Sequence, residues 1–215
     1  MRSTRFIAAA AAAIGLIALA VPALPAQASG TYPAVTPPPF GAKLTNESQP
    51  SNAQFGQTCD ENRGIPHGST CTWVSIQAYH NGGHELATAT GTVKHLKLIS
   101  CVPGSFTLQI ARFNASKHTA QVVRNGPVIK YKGWPSGPGD CGGDNGDAYV
   151  IQSFPINVHV NKGDGIAIKT AGTGALYCSG GSGVLLYAPP LAPGGAMKKA
   201  PGGASCNLMV TLTYN

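Results

Sequence analysis

The stretch INVHVNKGDGIAIKT, residues 156–170, contains two short runs rich in Val and Ile on either side of the sequence NKGD. Short runs of β-branched residues bounded by Gly, Asn and Asp are typical of β-strands. Gly and Asp in the intervening segment favour a tight turn. The stretch therefore predicts strands at 156–160 and 165–170, with Asp164 in the turn that leads into the second strand.

Similar runs follow one another along most of the chain, and several of them alternate between apolar and polar residues. No segment shows the helical period of about 3.6 residues over three turns. Many short strands separated by turn sequences indicate an all-β fold, an antiparallel β-sandwich, with a jelly-roll-like arrangement as the favoured version. The other predicted strands are residues 71–79, 92–100, 106–113, 119–124, 148–154, 183–188 and 206–214.

The first 28 residues have the features of a secretory signal peptide. Arg2 and Arg5 precede an uncharged apolar run over residues 7–20, and Ala26-Gln27-Ala28 forms a small-residue cleavage site. The run is shorter than the roughly 20 apolar residues of a membrane-spanning helix, and no second long apolar run follows. We therefore expect cleavage after Ala28, a secreted protein that is extracellular or associated with the cell wall, and no transmembrane segment in the mature chain.

Two further segments stand out by composition. Residues 29–56 are rich in Pro, Ser and Thr and show no hydrophobic period, which predicts a flexible arm before a sandwich domain over residues 57–215. Residues 188–205 combine prolines with two Gly-Gly pairs, so we expect a long exposed loop there without a regular strand.

The mature chain keeps all six cysteines of the sequence. An even number of cysteines in an exported protein predicts a disulfide framework, although sequence alone leaves the connectivity open. Closeness in sequence favours Cys59 with Cys71, after which Cys101 with Cys141 and Cys178 with Cys206 would follow. Metal ligation is the weaker alternative, because no C-x-x-C pair is present.

The chain is basic, with 15 Lys and Arg against 8 Asp and Glu. This balance suits weak attraction to anionic polymers of the cell envelope. The basic residues are scattered apart from short groups at 94–97, 130–132 and 198–199, and we interpret each group as solvated surface. The pattern does not indicate specific nucleic-acid binding.

Two groups of residues are candidate metal ligands. Asp140, Asp144 and Asp147 supply carboxylates of the kind that Ca²⁺ prefers, but their spacing lacks the pattern of known calcium loops, and a glycine-rich turn is the stronger interpretation. His80, His84 and Glu85 flank an Asn-Gly-Gly turn and could share Zn²⁺ or Cu²⁺. No helical H-E-x-x-H motif is present, so a solvent-exposed turn is the stronger interpretation of that second group. Ca²⁺ therefore remains the one cofactor to consider.

The candidate contact residues for a ligand are Trp134, Tyr131, Asp144 and Asp147, in a loop that carries two prolines. Tryptophan and tyrosine are enriched in binding surfaces because they offer a large apolar area with a polar group. No catalytic motif is present, so we predict a non-catalytic binding protein for a glycan or another envelope polymer. The alternatives are a secreted hydrolase that uses acids near Glu85 and Asp144, and an envelope assembly protein whose arm adds as a strand to a neighbour.

The chain also resembles a group of secreted, disulfide-bonded β-sandwich proteins of high-GC Gram-positive bacteria, most of them uncharacterised. The resemblance covers roughly residues 59–215, in addition to the alanine-rich signal ending in AQA. Its motifs are CTWV at 71–74, FTLQIARFN at 106–114 and FPINVHVNKGDGIAIKT at 154–170. The resemblance implies the fold and the exported location, and it implies no catalytic or binding residue.

Overall fold

The computed structural model of the chain describes residues 35–44, 54–60, 65–77, 83–100, 102–133, 150–178 and 183–214. All regular structure in these ranges is β-strand, which confirms the predicted all-β class. The strands are β1 (Phe40–Gly41), β2 (Gln54–Thr58), β3 (Cys71–Ser75), β4 (Gly91–Leu98), β5 (Gly104–Asn114), β6 (Thr119–Tyr131), β7 (Gln152–Val160), β8 (Gly165–Thr170), β9 (Gly172–Cys178), β10 (Val184–Tyr187), β11 (Lys198–Lys199), β12 (Gly202–Ala204), β13 (Asn207–Leu208) and β14 (Val210–Thr213).

The strands form three antiparallel sheets. A four-stranded sheet has the order β1-β14-β4-β7, a seven-stranded sheet has the order β11-β6-β5-β8-β3-β10-β12, and a three-stranded sheet has the order β13-β9-β2. Buried side chains of all three sheets belong to one main core, which includes Leu96 and Val158 from the four-stranded sheet and Trp73 and Ile168 from the seven-stranded sheet. Two sheets that share a core in this way form the predicted sandwich. The jelly-roll version stays a prediction.

The stretch 156–170 carries the chain from one layer of the sandwich to the other. β7 is an edge strand of the four-stranded sheet, whereas β8 lies in the middle of the seven-stranded sheet. The Asp164 carboxylate in the connecting turn is fully buried and accepts hydrogen bonds from Arg112 Nε at 2.9 Å and from the Asn161 backbone N–H at 2.8 Å. Gly163 has a φ of +88°, a conformation that favours glycine. The turn is thus held by a buried, paired acid.

The seven-stranded sheet is strongly curled. Its outermost strands, β11 and β12, would lie six strand spacings apart in a flat sheet, which is about 29 Å at about 4.8 Å per spacing. Only Ala200 and Pro201 separate these two strands in the chain, and three Cα–Cα steps span at most about 11 Å. The sheet must therefore bend until a single segment bridges its two edges.

Residues 188–201, which we call the strap, cover the concave side of this curled sheet. A second core lies beneath them, formed by Val74, Ala111, Val122, Leu185 and other small or aliphatic side chains, with Leu191 of the strap 4% exposed. The strap is held by polar contacts as well as by burial. The Leu191 N–H donates to Thr72 Oγ1 at 3.1 Å, and the Leu191 carbonyl accepts from Gln109 Nε2 at 3.3 Å.

The expectation for residues 188–205 was wrong in one respect. The segment contains β11 and β12, which pair with β6 and β10, and Leu191 is buried. The sequence did not predict these strands because Gly and Pro disfavour strands locally. Their pairing partners are β6 and β10, which would otherwise form the two edges of the curled sheet and which lie far away in sequence. Residues 192–199 are exposed, as expected for a loop.

The sandwich also begins earlier than the predicted boundary at residue 57. β1, inside the predicted arm, pairs with β14, and the Phe40 side chain is 1% exposed in the main core. β2 pairs with β9. Part of the arm is therefore an integral edge strand of its own chain. A strand of two residues is too short to produce a visible alternation, which explains why the pattern missed it.

Two of the three predicted disulfides are confirmed. Cys59 is bonded to Cys71 and Cys178 is bonded to Cys206. The predicted Cys101–Cys141 pair and the signal peptide fall outside the residues that the structure describes. Within the described ranges, no helix is long and apolar enough to span a membrane.

Candidate functional site: a cationic sheet face

Most of the residues predicted to bind a ligand or a metal lie outside the described ranges. These are His80, Trp134, Asp140, Asp144 and Asp147. His84 and Glu85 are described and exposed. Among the described residues, no group of three or more His, Cys, Asp or Glu side chains is arranged to hold a metal ion. The calcium, zinc and copper hypotheses therefore remain predictions.

Tyr131 is described, and its position corrects the prediction that it contacts a ligand. The side chain is 5% exposed and its ring lies 5.6 Å from that of Phe106. The Tyr131 hydroxyl is 2.9 Å from Thr173 Oγ1 and accepts a hydrogen bond from the Gly174 N–H at 3.2 Å. Tyr131 therefore links β6 to β9 inside the core. Sequence reasoning took an aromatic residue beside a loop for an exposed one.

The outer face of the four-stranded sheet offers a different candidate site, and an irregularity in β4 creates it. The register between β4 and β7 shifts between Val93, which pairs with Val158, and His95, which pairs with Pro155. As a result, Val93 and Leu96 are both fully buried although they are three residues apart. A regular strand would point these two side chains to opposite faces. Such bulges commonly redirect side chains at functional surfaces.

The same irregularity exposes both Lys94 and Lys97. Lys97 pairs with Ser153, an exposed residue, so both point away from the core. The Lys94 ammonium donates to the Asn157 side-chain oxygen at 3.1 Å. Lys97 makes no ion pair or hydrogen bond with its side chain among the described residues. The cationic face, as we call this surface, consists of Thr92, Lys94, His95, Lys97, Ser153, Pro155, Asn157, His159 and Thr213.

No described acid neutralises the cationic face. Of the 8 Asp and Glu residues of the chain, three lie in the described ranges, against twelve of the 15 Lys and Arg. Asp60 forms an ion pair with His67, and Asp164 is buried against Arg112. The third described acid, Glu85, lies in the segment before β4. Its neighbour Leu86 forms a β-bridge with Gly165 of β8. As far as the described residues go, the face therefore combines ammonium groups that no carboxylate pairs with and hydroxyl and amide groups.

This arrangement suits the binding of anions. Ammonium, imidazole, hydroxyl and amide groups can donate hydrogen bonds to phosphate or carboxylate oxygens. The described part of the face presents no carboxylate for acid–base chemistry. The predicted hydrolase would pair Glu85 with Asp144, and Asp144 lies outside the described ranges, so that alternative remains untested.

The sequence analysis interpreted Lys94 and Lys97 only as part of a solvated group of basic residues. In a regular strand, side chains alternate between the two faces with a period of two residues. The sequence nevertheless indicated an irregular strand. Lys94 and Lys97 are three positions apart, so in a regular strand they would point to opposite faces. Two lysines at an odd spacing within one strand imply either a buried charge or a bulge, and burial of an unpaired charge is costly.

The chain was compared with known proteins at three levels. No family model, no curated protein and no solved structure matches it.

Proposed function

We propose that the protein is a secreted, non-catalytic binding protein of the cell envelope, and that its cationic face holds an anionic surface polymer bearing phosphate or carboxylate groups. The observation that carries this proposal is the register shift between β4 and β7, at which Lys94 and Lys97 are exposed together on a surface without a described acid. Export is supported by the signal-like N-terminus and by the two disulfides, which persist in oxidising compartments.

The energetics favour a polymer over a small anion. One exposed ion pair contributes only about 0–1 kcal/mol. A small anion that touches one lysine would therefore bind weakly. Lys94 and Lys97 are three residues apart, about 10 Å along a strand, and His159 pairs with Thr92 towards the other end of β4. A ligand with repeated charges can engage several of these groups at once, so that weak contacts add along the chain.

The test is co-sedimentation of the mature protein with a native envelope preparation. The Lys94→Ala/Lys97→Ala variant removes two charges from the cationic face. The matched control, Lys117→Ala/Lys130→Ala, removes two exposed charges elsewhere on β6 and the turn before it. We expect the first variant to lose most of the bound fraction and the control to retain it. Equal losses in both variants, or no sedimentation of the wild type, would overturn the proposal.

A Trp134→Ala variant in the same experiment separates this surface from the loop that sequence analysis favoured. If the polymer binds at the cationic face, the Trp134→Ala variant should bind it like the wild type. If Trp134→Ala abolishes binding and Lys94→Ala/Lys97→Ala does not, the ligand contacts the predicted loop around Trp134 instead, and the assignment to the sheet face is wrong.

A further inference from the structure

A groove lies at the other side of the molecule, where the concave side of the seven-stranded sheet opens near the start of β3. Two cavities of about 360 Å³ and about 510 Å³ meet there at Thr70, which lines both. The smaller cavity lies over the ends of β5, β6 and β8, and the larger lies between residues 65–70 and the start of the strap. We call the combined space the Thr70 groove. It is separate from the cationic face, which belongs to the four-stranded sheet.

The walls of the Thr70 groove are held by covalent and polar contacts. Cys71, next to Thr70, is bonded to Cys59. Asp60 pairs with His67, and the Thr58 hydroxyl, with a smaller contribution from His67, keeps the pKa of Asp60 below its usual value. On the opposite side, the Leu191 N–H bonds to Thr72 Oγ1 directly after Pro189 and Pro190. Walls fixed in this way reduce the entropy lost when a ligand binds.

The lining combines apolar surfaces with free hydroxyl groups. Ile65, Pro66, Pro189 and Pro190 supply aliphatic area, and Val128 at the rim is 60% exposed. Among the described residues, the side-chain hydroxyls of the following residues have no hydrogen-bond partner: Ser69, Thr70, Ser105 and Thr107. The only charged side chain in the described lining is Lys169.

From this chemistry we infer that the Thr70 groove binds a short oligosaccharide that contains an acidic sugar, with the acidic group at Lys169. Sugar rings present aliphatic C–H faces and a rim of hydroxyls, which match the prolyl surfaces and the unpartnered Ser and Thr hydroxyls. The Lys169 ammonium complements a carboxylate or a phosphate on the sugar. Each of the two volumes falls in the range of about 300–1,000 Å³ that is typical of ligand sites.

A peptide ligand fits the groove less well. Extended peptides usually bind by adding a strand to a sheet edge, and proline-rich peptides bind in grooves lined by aromatic side chains. β5 and β8, which form the floor of the smaller cavity, each have a neighbour on both sides. The ring of Phe106, the aromatic residue in the described lining, is buried, with the residue 2% exposed. The groove thus lacks the features on which these two peptide modes depend.

The inference does not rest on the proposed function, and its test is arranged accordingly. All proteins carry the Lys94→Ala/Lys97→Ala substitutions, so binding at the cationic face does not contribute to the signal. The probe is an array of acidic and neutral oligosaccharides, followed by titration calorimetry with an acidic sugar that binds and with its neutral counterpart. Thermal unfolding checks that each variant is folded.

Ala171→Trp fills the groove from an exposed position in its lining, and Ala192→Trp places the same side chain at an exposed position on the strap as the control. We expect Ala171→Trp to weaken binding by more than about tenfold, a loss of about 1.4 kcal/mol, and Ala192→Trp to leave it unchanged. Lys169→Gln should weaken binding of the acidic sugar more than binding of the neutral one. A blank array, or binding that Ala171→Trp does not affect, overturns the inference.

Discussion

Lys94 and Lys97 lie three residues apart on one strand, yet both side chains are exposed on the same sheet, because the register of β4 against β7 shifts between Val93 and His95. A regular strand would have directed one of the two lysines into the core. The chain thereby gains two neighbouring charges on one surface while Val93 and Leu96 remain buried beneath them.

Binding to the cationic face should depend steeply on salt. Exposed charges are screened over a Debye length of about 10 Å at 0.1 M salt and about 3 Å at 1 M. We expect the fraction bound to an anionic envelope polymer to fall continuously as salt rises, with a shallower dependence for Lys97→Ala than for the control Lys117→Ala. Sedimentation at a series of salt concentrations measures both slopes. Identical slopes for the two variants would show that Lys97 does not contact the polymer.

Leu191→Ala should detach the strap from the concave side of the seven-stranded sheet. Leu191 is 4% exposed in the second core, and truncation of a buried leucine costs about 2–5 kcal/mol. Met197 lies on the same strap but is 45% exposed, so Met197→Ala should change the free energy of unfolding by less than about 0.5 kcal/mol. Chemical denaturation of both variants tests this difference. Similar values would mean that the strap does not stabilise the fold through Leu191.

Gln109→Leu should destabilise the protein although leucine fits a buried position by size. Gln109 is fully buried, and its side chain bonds to Thr72 Oγ1 at 3.0 Å, to Asn125 Oδ1 at 2.9 Å and to the Leu191 carbonyl. Each buried polar group left without a partner costs about 1–3 kcal/mol. Gln121→Leu, at a partly exposed position of β6, serves as the control. A free energy of unfolding for Gln109→Leu equal to that of the control would contradict the role of this network.

Gly41→Ala should release β1 from the edge of the four-stranded sheet. Gly41 has a φ of +105°, and a Cβ atom there would lie 2.3 Å from the Val210 carbonyl oxygen. Gly163 has a comparable φ of +88° with nothing within 4 Å of an added Cβ, so Gly163→Ala isolates the backbone strain alone. We expect Gly41→Ala to lower the melting temperature further than Gly163→Ala does. Proteolysis of the arm at residues 35–44 provides a second measurement.

Stability should fall at alkaline pH through Tyr187. Burial raises the pKa of Tyr187 from about 10 to about 12, and its hydroxyl donates to the Lys198 carbonyl at 3.2 Å. Because the folded pKa lies above the unfolded one, this stabilisation is complete below about pH 10 and is lost as the pH rises towards about 12. Tyr187→Phe should be less stable at neutral pH and should lose less stability over this interval. Burial also raises the pKa of Tyr214, so part of the alkaline loss should remain.

The local patterns predicted the strands that alternate or that are rich in β-branched residues. β8 has the bounds that were predicted, and β4, β5 and β10 agree to within two residues at each end. Pro155 divided the predicted strand into two, whereas β7 continues through it. β7 is an edge strand, where proline removes no hydrogen bond from the interior of the sheet.

The sequence analysis did not predict β9, because this strand is stabilised by contacts with distant segments and not by a hydrophobic alternation of its own. Gly172 and Gly174 weaken the local preference for a strand. In the structure, a Cβ atom at Gly174 would lie 2.5 Å from Ser100 Oγ and 2.6 Å from Val102 Cγ2, so the glycine permits close packing of chain segments that are distant in sequence. Neither of these contacts is visible in a short window of residues.

Local patterns therefore predicted the all-β class, most central strands and the turn at Asp164. Two disulfides were predicted separately, by pairing cysteines in their order along the chain. Hydrophobic periodicity and turn-forming residues act over a few positions, so they can be recognised in a short stretch of sequence. Only the tertiary structure decided the curl of the seven-stranded sheet, the role of the strap, the burial of Tyr131 and the bulge that exposes Lys94 with Lys97. Each of these depends on pairing or packing between residues that lie far apart in sequence. The odd spacing of Lys94 and Lys97 indicates a break in the period of a strand, but it does not identify the partner residues.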